Sequence, residues 1–401
     1  MKVALSTIGK FHTFDLAREL HRQGALAAVF TGYPRFKLKH EQLPADRIET
    51  FPWLHTLYMI PRLRNVLGSR ALRAWEYFDR VSLDAYVSFR LPACDVFVGL
   101  SGSALRSGRV AHSRGARYVC DRGSTHIRAQ ERLLREEHAS WGMPYDSIDP
   151  RIIDAEEKEY AEADCITVPS TFAMNSFVAE GVPTAKLRHL PYGVNLSRFH
   201  PTSPPDANEF NVLFVGGMSL RKGVQYLVQA YARLKHPRRS LTFAGIPDPK
   251  LIDMLKSRGL WPQQAQIIGH VPQTQLKELM SRSHVLVLPS IEEGLALVLA
   301  QAMACGCPVI ATENTGAGDL LKDGSGGYIL PIRDVDRLAE RLQLLADQPA
   351  LRAALSSAAV TRVQALGGWH DYGNRALALY SDLVQHGADR HSESPARAPT
   401  P

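Results

Sequence analysis

The alternation of short apolar runs with amphipathic helical patterns is the feature that most constrains how this chain folds. Runs with few polar breaks are typical of strands that are covered on both faces of a parallel sheet. The sequence predicts strands at KVALST, LAAVFT, DVFVGL, ARYVCD, CITVPS, LRHLPYG, NVLFVGG, LTFAGI, AQIIGH, HVLVLPS and PVIATE. This series is too long for one open sheet of usual size, so we expect two sheets.

A stretch rich in Pro, Ser, Asp and Asn, RFHPTSPPDANEF at residues 198–210, predicts where the chain divides. We therefore expect an α/β protein of two doubly wound, Rossmann-like domains, at residues 1–200 and 208–368, that face each other across a cleft. Ligands of such sheets bind at the carboxyl ends of the strands. Residues 386–401 have almost no apolar content, which predicts a disordered tail.

Composition excludes several classes of protein. No apolar run in the 401 residues approaches the ~20 that a membrane-spanning helix needs, and the N-terminus lacks a signal-peptide pattern. We therefore expect a cytoplasmic protein. The five cysteines are odd in number and widely spread, which disfavours a disulfide framework. Cys305 and Cys307 form the one close pair, and without further ligands nearby they are predicted to be buried thiols.

Residues 34–73 are more basic and more aromatic than the rest of the chain. The basic residues are Arg35, Lys37, Lys39, Arg47, Arg62, Arg64, Arg70 and Arg73. Such a mixture suits an anionic membrane surface, and it suits equally a solvated face over ordinary core residues. Nucleic acid is not expected as a partner, because no recognition module is visible.

The segment FVGGMSLRKG, residues 214–223, combines a strand end, a glycine turn and the start of a helix. Arg221 and Lys222 precede that helix, and two cations beside a helix N-terminus suit a diphosphate. The alternative is a pair of solvated loop cations. The segment matches neither GxGxxG nor the Walker pattern, which disfavours a dinucleotide dehydrogenase and a P-loop NTPase.

The segment PSIEEGLALVLAQAMACGCPVIA places Glu293 after an apolar strand and Gln301 two turns into the next helix. We expect Gly294 and Ala296 to let a ligand approach the backbone, where the first helical amides lack partners. A ligand with hydroxyls at two separate places, such as a sugar nucleotide, would bridge Glu293 and Gln301. A capped helix with solvated polar groups is the alternative.

These motifs resemble those of the family-four retaining glycosyltransferases, which have the GT-B fold. The family signature, PSxxEGFGLxxxEAMAxGxPVI, is present with Gln301 in place of its second Glu. The resemblance extends over roughly residues 1–384, through VGGMSLRKGVQYLVQA, IIGHVPQTQLKELMSRSHVLVLPS, EEKEYAEADCITVPSTFAMNSFVAEGV, LPYGVNLSRF and GWHDYGNRALALYSDLV. It implies that residues 369–385 form a helix that crosses back to the first domain.

The resemblance implies transfer of a sugar from a nucleotide-diphosphate sugar to a glycan or lipid-linked acceptor, in cell-surface polysaccharide or glycolipid synthesis. It implies no cofactor and no metal ion. The implied catalytic residues are His126, Glu293, Arg221 and Lys222. The implied donor-binding residues are Gly9, Gly216, Arg221, Lys222, His270, Val271, Glu293, Gly294, Leu295, Ala296 and Gln301. The implied acceptor-side residues are Phe11, His12, Arg122 and Arg128.

Several alternatives stay open. His12 is equally compatible with a helix cap or a half-buried histidine, and His126 with a structural role. Gln301, together with Gly217 at a position where the family often has Arg, leaves room for a catalytically silent nucleotide-sugar-binding partner. A sugar-nucleotide epimerase of the same fold is another alternative. The pair Asp334 and Asp336 has DxD spacing, but its position before an amphipathic helix predicts capping rather than metal binding.

Overall fold

A computed structural model describes residues 1–60, 67–321 and 324–392. It contains two parallel sheets, which confirms the predicted α/β class with two doubly wound units. The first sheet comprises β1 Val3–Thr7, β2 Leu26–Thr31, β3 Ile48–Thr50, β4 Val96–Leu100, β5 Arg117–Asp121, β6 Cys165–Val168 and β7 Leu187–His189. The second comprises β8 Phe210–Val215, β9 Arg239–Ala244, β10 Ala265–Gly269, β11 Val285–Leu288, β12 Val309–Thr312 and β13 Gly327–Leu330.

The strand orders are β3-β2-β1-β4-β5-β6-β7 and β10-β9-β8-β11-β12-β13. In each sheet the order reverses once, between β1 and β4 and between β8 and β11. A reversal leaves a crevice at the carboxyl ends of the two strands, where ligands bind in doubly wound folds. Two edge strands, β3 and β13, were not predicted from the sequence.

Helices cover both faces of the two sheets. Those of the first unit are α1 Thr13–Arg22, α2 Trp53–Tyr58, α3 Ser69–Arg90, α4 Leu105–Ser113, α5 Ile127–Ser140, α6 Pro150–Glu162 and α7 Thr171–Ala179. Those of the second are α8 Val224–Arg233, α9 Pro249–Ser257, α10 Gln273–Ser281, α11 Leu297–Ala304, α12 Ala317–Leu320, α13 Val335–Asp347 and α14 Pro349–Leu366. Strands such as β1 are buried along their whole length, which explains their unbroken apolar sequences.

The last helix, α15 Trp369–Ser392, follows the second unit but packs on the first. Its Tyr372 and Tyr380 are 1% exposed and share a hydrophobic core with Phe14 of α1. The helix continues through 386–392, so this part of the predicted tail is helical in the structure. Residues 393–401 lie outside the described part of the chain.

The chain passes between the two units at two adjacent places. A bridge pairs Val194, on the outgoing segment, with Gly368, on the returning one. A Cβ atom on Gly193 would lie 2.4 Å from the Gly368 carbonyl carbon, so the close approach of the two crossings requires glycine. Within the described residues, none of the helices has the length and apolar character required to cross a membrane.

Candidate active site

A cavity of about 1110 Å³ lies between the two units, at the carboxyl ends of β1 and β5. The first unit lines it with the loop after β1, which includes Phe11 and His12, and with Arg122 after β5. The second unit contributes Leu297 and Gln301 from α11. The cavity therefore lies where two doubly wound sheets are expected to hold a ligand.

His12 is held by a carboxylate at the floor of this cavity. Its Nε2 lies 2.6 Å from Asp121 Oδ2, and Asp121 Oδ1 accepts a 2.9 Å bond from the Thr167 hydroxyl. The imidazole also stacks on Tyr192, with ring centroids 4.2 Å apart. The side chain does not cap α1, so one of the alternatives left by the sequence is not realised. A carboxylate on one ring nitrogen fixes the ring so that it can hydrogen-bond a substrate hydroxyl.

Phe11 precedes this histidine in a strained conformation. Its φ is +35°, a region that non-glycine residues rarely occupy, and its side chain is 59% exposed beside the cavity. Gly9 is buried just before it, and its carbonyl accepts a 2.9 Å bond from the Thr31 hydroxyl. A Cβ on Gly9 would lie 2.7 Å from the Phe11 ring, so a larger residue here would displace that exposed side chain.

Arg122 lines the cavity but is fully engaged by its own unit. Its guanidinium donates to Glu156 Oε2 at 2.6 Å, Gln130 Oε1 at 2.9 Å, the Thr125 carbonyl at 2.8 Å and the Ser101 hydroxyl at 3.2 Å. Five N–H donors with four partners in the protein leave little capacity for a ligand. Arg122 therefore forms part of the cavity wall, and its guanidinium has no pair of free N–H donors with which to bind an anion.

His126 and Arg128, which the resemblance implied for the cleft, lie elsewhere. His126 is 3% exposed, its pKa is lowered by burial, and its ring packs on Tyr160 and Phe177, with centroids 5.0 Å away in each case. Its Nδ1 accepts from the Arg128 amide, so the side chain caps α5. Arg128 points to the surface, where it pairs with Glu157. Neither side chain reaches the cavity in this structure, so the geometry does not support the two roles that the resemblance implies.

The second unit gathers opposite charges at the carboxyl end of β8. Arg221 and Lys222 lie in a short 3₁₀ turn, Leu220–Lys222, before α8. Arg221 Nη1 is 3.1 Å from Glu293 Oε1, and Lys222 Nζ contacts the same oxygen. Gly216 lies beside them, since a Cβ there would be 3.8 Å from Lys222 Cε. Three residues of the implied donor site are therefore in direct contact.

The backbone around Gly294 differs from the expectation. A Cβ on Gly294 would lie 2.0 Å from the Gly123 carbonyl oxygen, so glycine is required here by the first unit rather than by a ligand. The amides of Glu293 and Ala296 donate to the Asn314 and Thr315 carbonyls, at 2.9 and 3.0 Å. These two amides are therefore unavailable to a diphosphate, which corrects the prediction of free donors before α11.

The remaining implied donor residues fall into three groups. Leu295 and Ala296 are buried in the core of the second unit, at 7% and 4% exposure. Gln301 is half-buried and faces the cavity. His270 is exposed and Val271 half-buried after β10, and neither belongs to the cavity lining found among the described residues.

Sequence reasoning missed Asp121 and Glu292. Asp121 ends β5, and the strand pattern alone did not show that it meets a histidine 109 positions earlier. Glu292 is adjacent to the residue that was predicted, yet its carboxylate is wholly buried between the two units. The only signal for it in the sequence was the pair of adjacent acids in IEEG.

Charged groups with metal-like spacing have other partners. Asp334 caps α13 by accepting a 2.9 Å bond from the Arg337 amide, as predicted, and Asp336 pairs with Arg233. In the part of the chain that the structure describes, no cluster of three or more His, Cys, Asp or Glu side chains is arranged to hold a metal ion.

Comparisons with known proteins agree with this architecture. The model of the family "Glycosyl transferases group 1" matches residues 197–362. D-inositol 3-phosphate glycosyltransferase 1 of Catenulispora acidiphila is 27% identical over 305 residues, which cover 71% of this chain and 72% of that protein. Glycogen synthase of Mycobacterium tuberculosis is 28% identical over 215 residues, 52% of each chain, so the match spans only about half of this relative.

Solved structures match over nearly the whole chain. Sucrose-phosphate synthase from Thermosynechococcus elongatus superposes with a TM-score of 0.72 at 21% identity, covering 96% of this chain and all of that one. Anabaena HepE, solved with UDP and glucose, gives 0.71 at 16% identity, covering 95% and 100%. The family match thus covers the second unit, and the likeness to these structures shows that the two facing sheets form the GT-B fold.

Proposed function

We propose that this protein transfers a sugar from a nucleotide-diphosphate sugar to an acceptor hydroxyl, with retention at the anomeric carbon. The observation that carries the proposal is the cluster of Arg221, Lys222 and Glu293 at the carboxyl end of β8. A diphosphate binds to positively charged side chains. In this cluster it would displace the Glu293 carboxylate from Arg221 and Lys222. Retention is taken from the family resemblance.

The ion pairs of Glu293 suggest how the donor binds. A diphosphate between Arg221 and Lys222 competes with the carboxylate, because each cation gains more from a doubly charged group than from a singly charged one. The released Glu293 can then accept hydrogen bonds from the hydroxyls of the sugar. The two cations stabilise the departing diphosphate, which is the negative charge that develops in the transition state.

Gln301 lines the cavity from α11 and is proposed to hold the ribose. Its amide oxygen accepts hydrogen bonds from a diol, as the family's usual carboxylate does, though less strongly. The acceptor enters on the other side of the cavity, where the fixed imidazole of His12 hydrogen-bonds the reacting hydroxyl. The leaving phosphate takes the proton of that hydroxyl.

The first experiment is a thermal-shift panel of UDP-, GDP- and ADP-sugars. A ligand that binds only the folded protein raises the melting temperature. Uridine nucleotides come first, because the HepE structure was solved with UDP and glucose. The best donor is then incubated with candidate acceptors, and a glycosylated product with retained configuration is expected. A free sugar or an epimerised nucleotide without any acceptor would indicate the epimerase, and binding without turnover would indicate the silent partner.

The acceptor is proposed to be a lipid-linked glycan at the cytoplasmic face of a membrane. The first unit exposes large apolar side chains on and beside the packed helices α2 and α3: Phe36, Trp53, Phe78 and Phe89 are 63%, 72%, 57% and 84% exposed. Lys37 and Lys39 are exposed next to Phe36. Apolar side chains flanked by cations favour an anionic bilayer. Arg62 and Arg64, which belong to the same predicted segment, lie outside the described residues.

Vesicle co-sedimentation tests this surface. The wild type is expected to bind vesicles that contain roughly 30–40% phosphatidylglycerol and not to bind vesicles of pure phosphatidylcholine. Phe78→Ser with Phe89→Ser should weaken the binding, whereas Val178→Ser, at an apolar residue 44% exposed on α7, should not. Equal binding by all three proteins would exclude the α2–α3 surface.

A further inference from the structure

Glu292 is a charged residue buried at the junction of the two units, one position before the donor residue Glu293. Its side chain has 0% exposure. Burying a carboxylate is costly unless it is paired and hydrogen-bonded, so its partners show what holds it there. Those partners come from both sides of the cleft.

On the side of the first unit, the loop after β5 and the start of α5 supply donors. Glu292 Oε1 accepts from the Thr125 hydroxyl at 2.9 Å, from the Thr125 amide at 3.3 Å and from the Ser124 hydroxyl. Its Oε2 accepts from Gln130 Nε2 at 3.1 Å. The segment of residues 123–130, which comprises the loop after β5 and the first turn of α5 and is called the 123–130 loop below, is therefore hydrogen-bonded to a carboxylate of the other unit.

On the side of the second unit, Glu292 is tied to the cation of the proposed diphosphate site. Arg221 Nη1 donates to the Glu292 carbonyl at 2.8 Å and lies 3.5 Å from its Oε2. Burial by itself would raise the pKa of Glu292, but Arg221 and the hydroxyl and amide donors lower it below its usual range. The side chain is therefore a carboxylate that belongs to both walls of the cleft.

The connection continues to the acceptor side through Gln130. The amide nitrogen of Gln130 donates to Glu292, and its amide oxygen accepts from Arg122 Nη2 at 2.9 Å. Arg122, Ser124 and Gln130 all line the cavity. An ion pair between Arg221 and Glu292, followed by hydrogen bonds through Gln130 to Arg122, thus connects Arg221 with the wall where an acceptor would bind.

We propose that Glu292 is a positioning residue that couples donor binding at Arg221 to the placement of the 123–130 loop on the acceptor side. This inference rests on the proposed function, since it requires a diphosphate at Arg221. When the diphosphate fixes the guanidinium, the guanidinium fixes Glu292, and Glu292 fixes the loop and Arg122 through Gln130. The close packing of Gly294 on Gly123 leaves this junction little freedom to adjust in another way.

A second buried carboxylate supplies a matched control. Glu137 on α5 also has 0% exposure at the junction, and it accepts from Gln225 at 2.7 Å, Tyr226 at 2.6 Å and Arg333 at 2.8 Å. It contacts neither Arg221 nor the cavity lining among the described residues. Replacing it disturbs the junction to a similar degree without cutting the chain of bonds from Arg221 to Arg122.

Amide hydrogen exchange of the 123–130 peptides tests the coupling, with the nucleoside diphosphate, among UDP, GDP and ADP, that gives the largest thermal shift. In the wild type that nucleotide is expected to slow exchange of the loop by about fivefold or more, the lower end of usual coupling between sites. Glu292→Gln should abolish this response while the nucleotide still binds, because an amide cannot accept from all of these donors. Glu137→Gln should keep it.

Gln130→Met removes the next hydrogen bonds of this connection, on the side of the first unit. It serves as the test if Glu292→Gln does not fold. A response that persists in Glu292→Gln or in Gln130→Met would overturn the inference, and so would a response lost equally in Glu137→Gln. Nucleotide binding without any response in the wild type overturns the inference and leaves the proposed function standing. Failure of all three nucleotides to bind overturns both.

Discussion

The two walls of the cleft hold their charged groups in opposite ways. On the wall of the first unit, Arg122 is 7% exposed and His12 is 8% exposed, and both are fixed by buried partners of the same unit. On the side of the second unit, outside the cavity lining found among the described residues, the side chain of Arg221 is 35% exposed and shares one carboxylate, Glu293, with Lys222. The charged groups of the first wall are thus paired within their own unit, whereas the second unit holds ion pairs that an incoming anion can replace.

This difference suits the two tasks of the transferase proposed above. An acceptor hydroxyl is neutral and gains from groups that are already in place. A diphosphate is strongly charged and can displace a carboxylate from its cations. The predictions below test the contrast, from the largest expected effect to the smallest.

Removal of a cation from the second wall is expected to have the largest effect. Arg221→Ala and Lys222→Ala should each lower turnover by ~10²–10³, because each removes a donor to the anion that develops in the transition state. Arg233→Ala is the matched control, since Arg233 pairs with an exposed Asp336 on the surface. Wild-type rates in both cleft variants would remove the diphosphate assignment.

The two histidines of the first unit should differ strongly. His12→Ala should lower kcat/KM by ~10-fold, as expected for loss of one hydrogen bond to the acceptor hydroxyl. His126→Asn should keep its activity, because asparagine also caps a helix. The substitution should instead lower the melting temperature. Loss of activity in His126→Asn with a normal fold would restore the role that the resemblance implied.

The stability of the second unit should depend on the protonation of His284. This residue is 4% exposed, its Nδ1 accepts from the Asn211 amide at 2.9 Å, and burial lowers its pKa from 6.5 to about 4. The folded form therefore stays neutral while the unfolded chain takes up a proton below pH 6.5. The stabilisation is present above pH 6.5 and is lost as the pH falls towards 4, by about 2 kcal/mol between pH 7 and pH 5.

Denaturant titrations of wild type and His284→Asn at pH 7 and pH 5 measure this loss. Asparagine can accept the same amide bond without titrating, so the variant should lose less stability than the wild type on acidification. A parallel decrease in both proteins would show that other groups account for the pH dependence.

Substitutions at Gln301 and Glu293 should distinguish binding of the ribose from binding of the transferred sugar. Gln301→Ala should weaken the nucleoside diphosphate itself by about 1–2 kcal/mol, and Gln301→Glu should keep or improve its affinity. Glu293→Ala should lose most transfer while the nucleoside diphosphate still binds. Calorimetry distinguishes these cases, and the reverse pattern would exchange the two assignments.

Chelation of metals is expected to have no effect. Arg221 and Lys222 supply the positive charge that a divalent ion would otherwise provide, so turnover should be equal with and without EDTA. Loss of activity in EDTA, restored by Mg²⁺ or Mn²⁺, would show that the second wall needs an ion in addition to its cations.

Much of the fold could be predicted from local patterns. The eleven apolar runs are all strands in the structure, and those buried on both faces, such as β1, β6, β11 and β12, have the unbroken apolar sequences that such burial requires. The edge strand β3 was missed because Ile-Glu-Thr contains a single apolar residue, and β13 was missed although its sequence, Gly-Tyr-Ile-Leu, is largely apolar. At the proposed donor site, Arg221, Lys222 and Glu293 belong to two short motifs that each follow a strand. Because the carboxyl ends of parallel strands meet at one edge of the sheet, the sequence predicts that these residues lie close together.

The acceptor side was harder to predict, and the histidines show why. His12 and His126 both follow a strand end in the same unit, and their sequence surroundings do not tell which one faces the cavity. The choice depends on the position of Asp121 and of the aromatic rings of Tyr160 and Phe177, which come together only when the sheet forms.

The sequence by itself determined the α/β class, the two sheets and the motifs of the donor side, because these depend on period, turn chemistry and short spacings. The tertiary structure alone decided the fixed pairing of His12 with Asp121, the withdrawal of His126 and Arg128 from the cavity, and the burial of Glu292. Each of these depends on contacts between residues 29 to 168 positions apart in the chain. Such contacts arise from the packing of whole elements, and local sequence does not encode which partners will meet.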